Sequence, residues 1–477
     1  MNGSSELPPL AKASGLAASG RPTSEYRNIG TFLSDSFTTQ LTSPNSETLF
    51  PHDSLPSFSS AALQAPLGTP PSSPASPFLL EGQWAYLNHG AFGATLGAAC
   101  LAANALRLQQ ERQPMRFFDR DLLPLLASAT VDLADFLRAP ARRLALTANV
   151  TTAVSAVIRT LQGGLQEDAP RGAVRAGDEI VIYRHAYSSV MDGAKLLAET
   201  TRAKLVVIDI PFPLPDDAAA ANAAIVDAVE SVLTDKTRIV FMDHVPSSTP
   251  FIMPVERIVQ LCNARGIISL VDGAHAPGAI DLDFSSGFAP SIYVGNCHKW
   301  LCSAKGCAFI YVAPELEDAL TISPAAISIG HAAKAFHTRF IWDGTRDYAA
   351  QLALPVALRF WRRRGANEMR AYMRNLANEA AAMLTAAWGT STYEPAALRG
   401  VMTSVRLPES GEGQRLGPAT EAQMLNVMNA LYDRLIEIPV KILRGSLYVR
   451  VSCHIYNSIQ DIERLRDAVL DIIASMP

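Results

Sequence analysis

Between Gly177 and Met242 short apolar runs alternate with stretches of helical spacing, and this alternation restricts the fold more than any other feature of the chain. Glu179-Ile-Val-Ile-Tyr183, Lys204-Leu-Val-Val-Ile-Asp209 and Arg238-Ile-Val-Phe-Met242 are apolar on consecutive residues, the pattern of strands buried on both faces. Helices are predicted between them over Ser188–Thr200 and Ala219–Leu233. Such an order requires crossover connections, and so a mainly parallel sheet with helices on both faces. Ile267-Ile-Ser-Leu-Val-Asp272 continues the pattern as a buried strand, and Lys305-Gly-Cys-Ala-Phe-Ile-Tyr-Val312 adds another. The expected class is α/β.

The flanks read differently. Residues 1 to about 82 are rich in Ser, Thr and Pro, and are expected to form a disordered arm. Trp84-Ala-Tyr-Leu-Asn-His-Gly-Ala-Phe-Gly93 opens the folded part as a short strand and a Gly-rich turn, followed by a helix to about Leu108. Leu122–Leu137 carries apolar residues at helical spacing. Beyond the loop Trp342-Asp-Gly-Thr-Arg-Asp347, a long helix begins near Tyr348, breaks near Gly365, and joins the large domain to a smaller α+β one. The smaller domain should hold the strands Thr403–Leu407, Glu437–Lys441 and Leu447–Ser452. The expected division is therefore 1–82 arm, 83–347 large domain and 348–477 linking helix with small domain.

Composition removes several functions. At 477 residues and 48 % apolar content the chain can bury a large core, and a net charge of −4 offers no basic field for nucleic acid or a membrane surface. No apolar run reaches the roughly 18 residues of a membrane span. The six cysteines lack paired zinc or redox spacing, which fits a reducing, cytoplasmic setting. An organellar address in the N-terminal arm is the alternative, weakened by Glu6, Glu25, Asp35, Glu47 and Asp53.

Candidate chemistry gathers at strand ends, where open α/β sheets place ligands. Lys299, in Tyr293-Val-Gly-Asn-Cys-His-Lys-Trp-Leu301, stands among apolar neighbours that disfavour its ammonium form and leave an amine able to attack an aldehyde. Upstream, Asp272 and His275 follow a buried strand. A carboxylate against a pyridine nitrogen is what a pyridoxal cofactor requires, and an imidazole can reach its hydroxyl. The plain alternatives are a lysine lying along the surface and an aspartate capping a helix. Asn149-Val-Thr-Thr152 starts a helix whose amides and hydroxyls suit a phosphate, or simply cap it. Past Tyr183, His185 can stack on a ring and Tyr187 can exchange a proton with substrate.

Taken together, the chain resembles the class V aminotransferase group of fold-type I pyridoxal phosphate enzymes, and within it the branch holding isopenicillin N epimerase. The resemblance runs from about Trp84 to the C-terminus through Tyr86-Leu-Asn-His-Gly-Ala-Phe-Gly93, Thr147-Ala-Asn-Val-Thr-Thr-Ala153, Asp272-Gly-Ala-His-Ala-Pro-Gly278, Gly295-Asn-Cys-His-Lys-Trp-Leu301, Trp342-Asp-Gly-Thr345 and Arg450-Val-Ser-Cys-His-Ile-Tyr-Asn457. It implies a mainly parallel, seven-stranded large-domain sheet with helices on both faces, a smaller α+β C-terminal domain, and a homodimer. It implies Lys299 as the Schiff-base lysine, Asp272 as the ring-nitrogen partner, His275 at the ring hydroxyl and His185 stacked on the ring. It also implies cofactor contacts from Val150, Thr151, Asn296 and His298, with Thr345 reaching the phosphate across the dimer interface. Arg450 would bind the substrate carboxylate, a role its planar fork suits independently, with Asn88 nearby. Asn296 stands where relatives often carry Ser, and Pro246-Ser-Ser-Thr-Pro250 replaces a Gly-containing turn, which weakens any cofactor contact from Ser247.

An amino acid joined to the cofactor as an external aldimine loses its Cα proton readily, and the protein then chooses the outcome. Expulsion of a β-sulfur makes a C–S lyase, with Tyr187 as the acid at the leaving sulfur. Return of the proton on the opposite face makes an epimerase, and return at the cofactor makes an aminotransferase. A desulfurase needs a nucleophilic Cys on a loop, and Pro324–Phe340 and Glu394–Pro418 contain none. The reading taken is a lyase acting on cysteine or a cysteine conjugate. The alternatives are epimerase, aminotransferase, and a binding protein that has kept the fold without catalysis.

Overall fold

The computed structural model describes residues 58–165, 172–331, 333, 335–408 and 418–475. Twelve strands are assigned among these residues. They are β1 (Ala85–Tyr86), β2 (Leu144–Thr147), β3 (Glu179–Tyr183), β4 (Lys204–Ile208), β5 (Thr237–Asp243), β6 (Ile268–Asp272), β7 (Ile292–Asn296), β8 (Ala308–Val312), β9 (Met402–Arg406), β10 (Ile436–Glu437), β11 (Val440–Leu443) and β12 (Ser446–Ser452).

Seven of them form one sheet in the order β2-β8-β7-β6-β5-β3-β4, and β8 alone runs against the rest. Successive side chains of a strand point to opposite faces, so each strand feeds two cores. Val181, Val240, Val271 and Tyr293 join helices Gly97–Arg112, Leu122–Leu137 and Val255–Ala264 on one face. Ile180, Ile182, Phe241, Leu270 and Val294 join helices Val150–Leu161 and Ser188–Thr201 on the other. This two-sided burial is why these strands are apolar on every residue, and only the edge strand β4 shows exposed positions.

The second unit is a three-stranded antiparallel sheet, β11-β12-β9, packed by helices Ala366–Trp388, Glu421–Tyr432 and Ile459–Ser475. The predicted single strand Glu437–Lys441 is two strands, because Pro439 has no N–H to donate and divides β10 from β11. The break near Gly365 is real: Gly365 has φ of 90° and separates helix Leu354–Arg364 from helix Ala366–Trp388. β1 pairs with β10 in parallel, so the chain entering at Trp84 is stitched first to the C-terminal unit.

The expectation of disorder to residue 82 needs correction over its last third. Residues 1–57 lie outside the described residues, but 58–82 pack against the body. Phe58 meets the Phe360 ring at 5.0 Å, Gly68 donates its N–H to the Ile455 carbonyl at 2.7 Å, and Phe78 is 5 % exposed against His454 and Tyr456. The apolar anchors here are sparse and follow no helix or strand period, so a composition rule sees only the Ser and Pro between them. Among the described residues no helix is long and apolar enough to cross a membrane.

Candidate active site

β5, β6 and β7 end at Asp243, Asp272 and Asn296, the first two in register and Asn296 two residues beyond the Asp272 partner Val294, and Lys299 follows three residues after β7. Here the parallel strands all deliver their last side chain to one edge. A cleft of about 650 Å³, continuous with solvent, opens there; its walls include Phe92, Val150, Thr151, Tyr187, Ser247, Asp243, Asp272, His275, Asn296, His298 and Lys299. Gly93 shapes one wall: at φ of 71° it packs directly on the lysine backbone, where a Cβ would collide with the His298 carbonyl.

Lys299 Nζ lies 3.2 Å from His275 Nε2, and His275 Nδ1 faces the Trp300 indole N–H at 3.4 Å. An indole only donates, so His275 Nδ1 accepts and the His275 proton belongs on Nε2, where it can be donated to Lys299 in its free-amine form. Burial lowers the Lys299 pKa to about 8, helped by the Arg450 cation and opposed by Asp272. Burial also holds His275 well below the usual imidazole range. Asp272 is 4 % exposed, accepts the Ala274 N–H at 2.9 Å, and has its pKa raised by burial.

Two helix N-termini meet at the other end of the cleft. Helix Val150–Leu161 is capped by Asn149, whose side chain accepts the Thr152 N–H at 2.8 Å. The Thr151 hydroxyl is 3.3 Å from that of Ser189, in the first turn of helix Ser188–Thr201. Converging dipoles and hydroxyls suit a phosphate. Asn296 has structural work here: its side-chain oxygen accepts the Val150 N–H at 3.2 Å. His298 Nδ1 bonds the Cys307 carbonyl at 2.9 Å, and burial takes its pKa down to about 4.

Arg450 is buried beneath Ser247. It donates to the Ser247 carbonyl at 2.8 Å and hydroxyl at 3.0 Å, and to Asn88 Oδ1 at 3.1 Å. Among the described residues its Nε has no partner, and burial takes its pKa to about 10. Asn88 in turn donates to Glu437 at 3.0 Å, so it orients the guanidinium. Ser247, set aside in the sequence as a cofactor contact, is thus a partner of Arg450.

Four expected residues stand outside the cleft walls: Arg450 and Asn88, which lie behind Ser247, and His185 and Thr345. A turn closed by the Ala186 N–H on the Tyr183 carbonyl folds His185 back, half-buried and edge-on to Tyr183 at 5.5 Å. Thr345 is exposed on its loop. Sequence reasoning passed over Asp243, Ser189 and Phe92, although Asp243 carries the same signal as Asp272, a carboxylate ending a buried strand.

Behind the lysine, Cys302 Sγ lies 3.4 Å from His454 Nε2 and 3.9 Å from His89 Nε2. The two imidazoles stack at 3.9 Å and 15°, so their in-plane lone pairs run side by side and do not converge on an ion. Their hydrogen bonds are local: His89 reaches Tyr456 at 2.8 Å and the Lys299 carbonyl at 3.1 Å. Burial raises the Cys297 and Cys302 pKa values, leaving inert thiols.

Known proteins identify the family to which the chain belongs. The family model for class-V aminotransferases matches residues 121–465. Isopenicillin N epimerase of Streptomyces clavuligerus is 32 % identical over 410 residues, covering 82 % of this chain and 95 % of that protein. A probable chloroplastic L-cysteine desulfhydrase of Arabidopsis thaliana is 26 % identical over 415 residues, covering 82 % and 83 %. A solved cystine C–S lyase in complex with its product cysteine persulfide superposes with a TM-score of 0.67 at 20 % identity, covering 81 % of this chain and 97 % of that one. The chain belongs to the class-V aminotransferase family, and it is a pyridoxal phosphate-dependent enzyme of fold type I.

Proposed function

We propose that the protein removes the Cα proton of an amino acid and expels a β-sulfur, acting as a C–S lyase on cysteine or a cysteine conjugate. The observation that carries the reading is one cleft holding a lysine amine against His275, the Asp272 carboxyl on its floor, and the half-exposed Tyr187 phenol at its wall. The cofactor, when bound, supplies the electron-withdrawing ring that makes the Cα proton acidic. The chain's residues do the rest. Lys299 holds the cofactor and then serves as the base at Cα, with a pKa near enough to neutrality to take and return a proton. Asp272 would hold the ring nitrogen, and Val150, Thr151 and Ser189 would hold the phosphate. Arg450 takes the substrate carboxylate by exchanging its bonds to Ser247 and Asn88 for a bidentate pair. Tyr187 donates its proton to the departing sulfur.

The buried thiols support a lyase over a desulfurase, which would need an exposed thiolate. Epimerisation is the second reading, favoured by the 31 % and 32 % identities to isopenicillin N epimerases. A panel of amino acids and cysteine conjugates, assayed for pyruvate, released sulfur and Cα deuterium exchange, separates the two. Exchange with inversion and no pyruvate from any conjugate would overturn the lyase.

A further inference from the structure

Asp243 and Asp272 are register partners at the ends of the parallel strands β5 and β6, about 5 Å apart by the spacing of neighbouring strands. Both are 4 % exposed and both face the cleft. The His244 N–H donates to the Asp272 carbonyl at 2.8 Å, so the backbones are locked together at this point. Among the described residues neither carboxyl has an ion-pair partner. The groups around them are few. Asp272 has the Ala274 N–H and feels the Lys299 charge, while the Tyr187 N–H reaches Asp243, and the Tyr183 and Tyr293 phenols lie within the field of the pair.

Two carboxylates so close, shielded from water and without a bridging cation, do not both ionise. We propose that Asp243 and Asp272 share a single proton that resides on Asp243, making Asp243 the positioning residue that keeps the Asp272 carboxylate ionised and aimed at the cofactor ring. The asymmetry has a structural cause. Asp272 looks toward Lys299, whose cation stabilises its charge, whereas Asp243 has Asp272 itself as its nearest charge; accordingly burial and that neighbour push Asp243 well above the carboxylate range. A neutral Asp243 accepts the Tyr187 N–H and places no second negative charge beside Asp272, so one side chain would favour the ionised ring partner and fix the start of the helix behind Tyr187.

The proposal rests on Asp272 being the ring-nitrogen partner, and the test separates the two ideas. Infrared spectra of the cofactor-loaded protein would be compared for wild type and Asp243→Asn, together with the pH titration of the cofactor's visible absorption. A neutral acid replaced by a neutral amide should remove one protonated-carboxyl band while moving the visible titration by less than about 0.3 pH unit. Were Asp243 ionised, no such band would be lost, and removing a full charge from the cleft wall would move the titration by well over about 0.3 pH unit. Either result overturns the proposal. Asp243→Ala, which cannot accept the Tyr187 N–H, should weaken cofactor retention about tenfold, as expected for one buried hydrogen bond left unmade; retention equal to wild type would remove the positioning role. Asp272→Asn checks the premise: an unchanged spectrum there, with the Asp243 band intact in wild type, means that the shared proton exists but Asp272 is not the ring partner.

Discussion

The Lys299 amine should titrate far below an ordinary lysine in the cofactor-free protein, and the size of the effect follows from its surroundings. With a pKa of about 8 in place of 10.5, the free amine at pH 7 rises from about 0.03 % to about 9 %, roughly 300-fold. Competitive reductive methylation across pH 6 to 11, read by peptide mass spectrometry, reports this residue without needing the cofactor to dock. The labelling rate should rise with pH and level off near 8. The causes predict opposite shifts: Arg450→Met should move the Lys299 inflection up, and Asp272→Asn should move it down. The same depression affects stability. Because the folded pKa lies below the unfolded one, the buried ammonium costs stability below pH 8, on the order of 3 kcal/mol at pH 7, and the cost fades between pH 8 and 10.5. Lys299→Met should therefore abolish cofactor capture and yet raise the melting temperature of the apo protein at pH 7, with the gain gone by pH 10.5. An inflection at 10 or above, or a destabilised Lys299→Met, would refute the account of burial.

Tyr187→Phe should keep Cα deuterium exchange near wild type and slow pyruvate release by roughly 10²–10⁴-fold, and equal loss of both would place the phenol at Cα instead. Arg450→Lys should raise KM on the order of 10–100-fold with a smaller change in kcat, since an ammonium cannot form the parallel pair of bonds; steady-state kinetics decide it. Phe78→Ala should destabilise by about 3–5 kcal/mol, seen as a lower denaturant midpoint, because the ring is 5 % exposed against His454 and Tyr456. Removing residues 1–82 should accordingly cost more stability than removing 1–57, and thermal melts of the two truncations compare them directly.

The legible part of the chain was that governed by local periodicity. Glu179–Tyr183 matches its predicted bounds and Ser188–Thr201 differs from its own by one residue, because consecutive apolar residues and helical spacing leave little choice. What the sequence concealed arises from contacts between distant segments. Ala85 pairs with Ile436, Gly68 with Ile455, and Arg450 with Asn88, each across more than 300 residues. No window of sequence contains such a pair.

The site divides along the same line. Lys299, Asp272 and His275 stood out as candidates because each lies at or just after the end of an apolar strand, and the sheet topology brings those strand ends together. Asp243 had the same signature, but its neighbour relation to Asp272 depends on β5 and β6 being adjacent and in register, which neither strand states alone. Charge makes that relation matter. A single carboxylate at a strand end is an acid or a cap, whereas two in register are a proton-sharing pair whose behaviour belongs to neither residue. If the pair behaves so, the ring partner in this chain is a property of the sheet order β6-β5, and replacing Asp272 alone should leave Asp243 titrating closer to an ordinary buried acid, detectable as a change in its infrared band with pH.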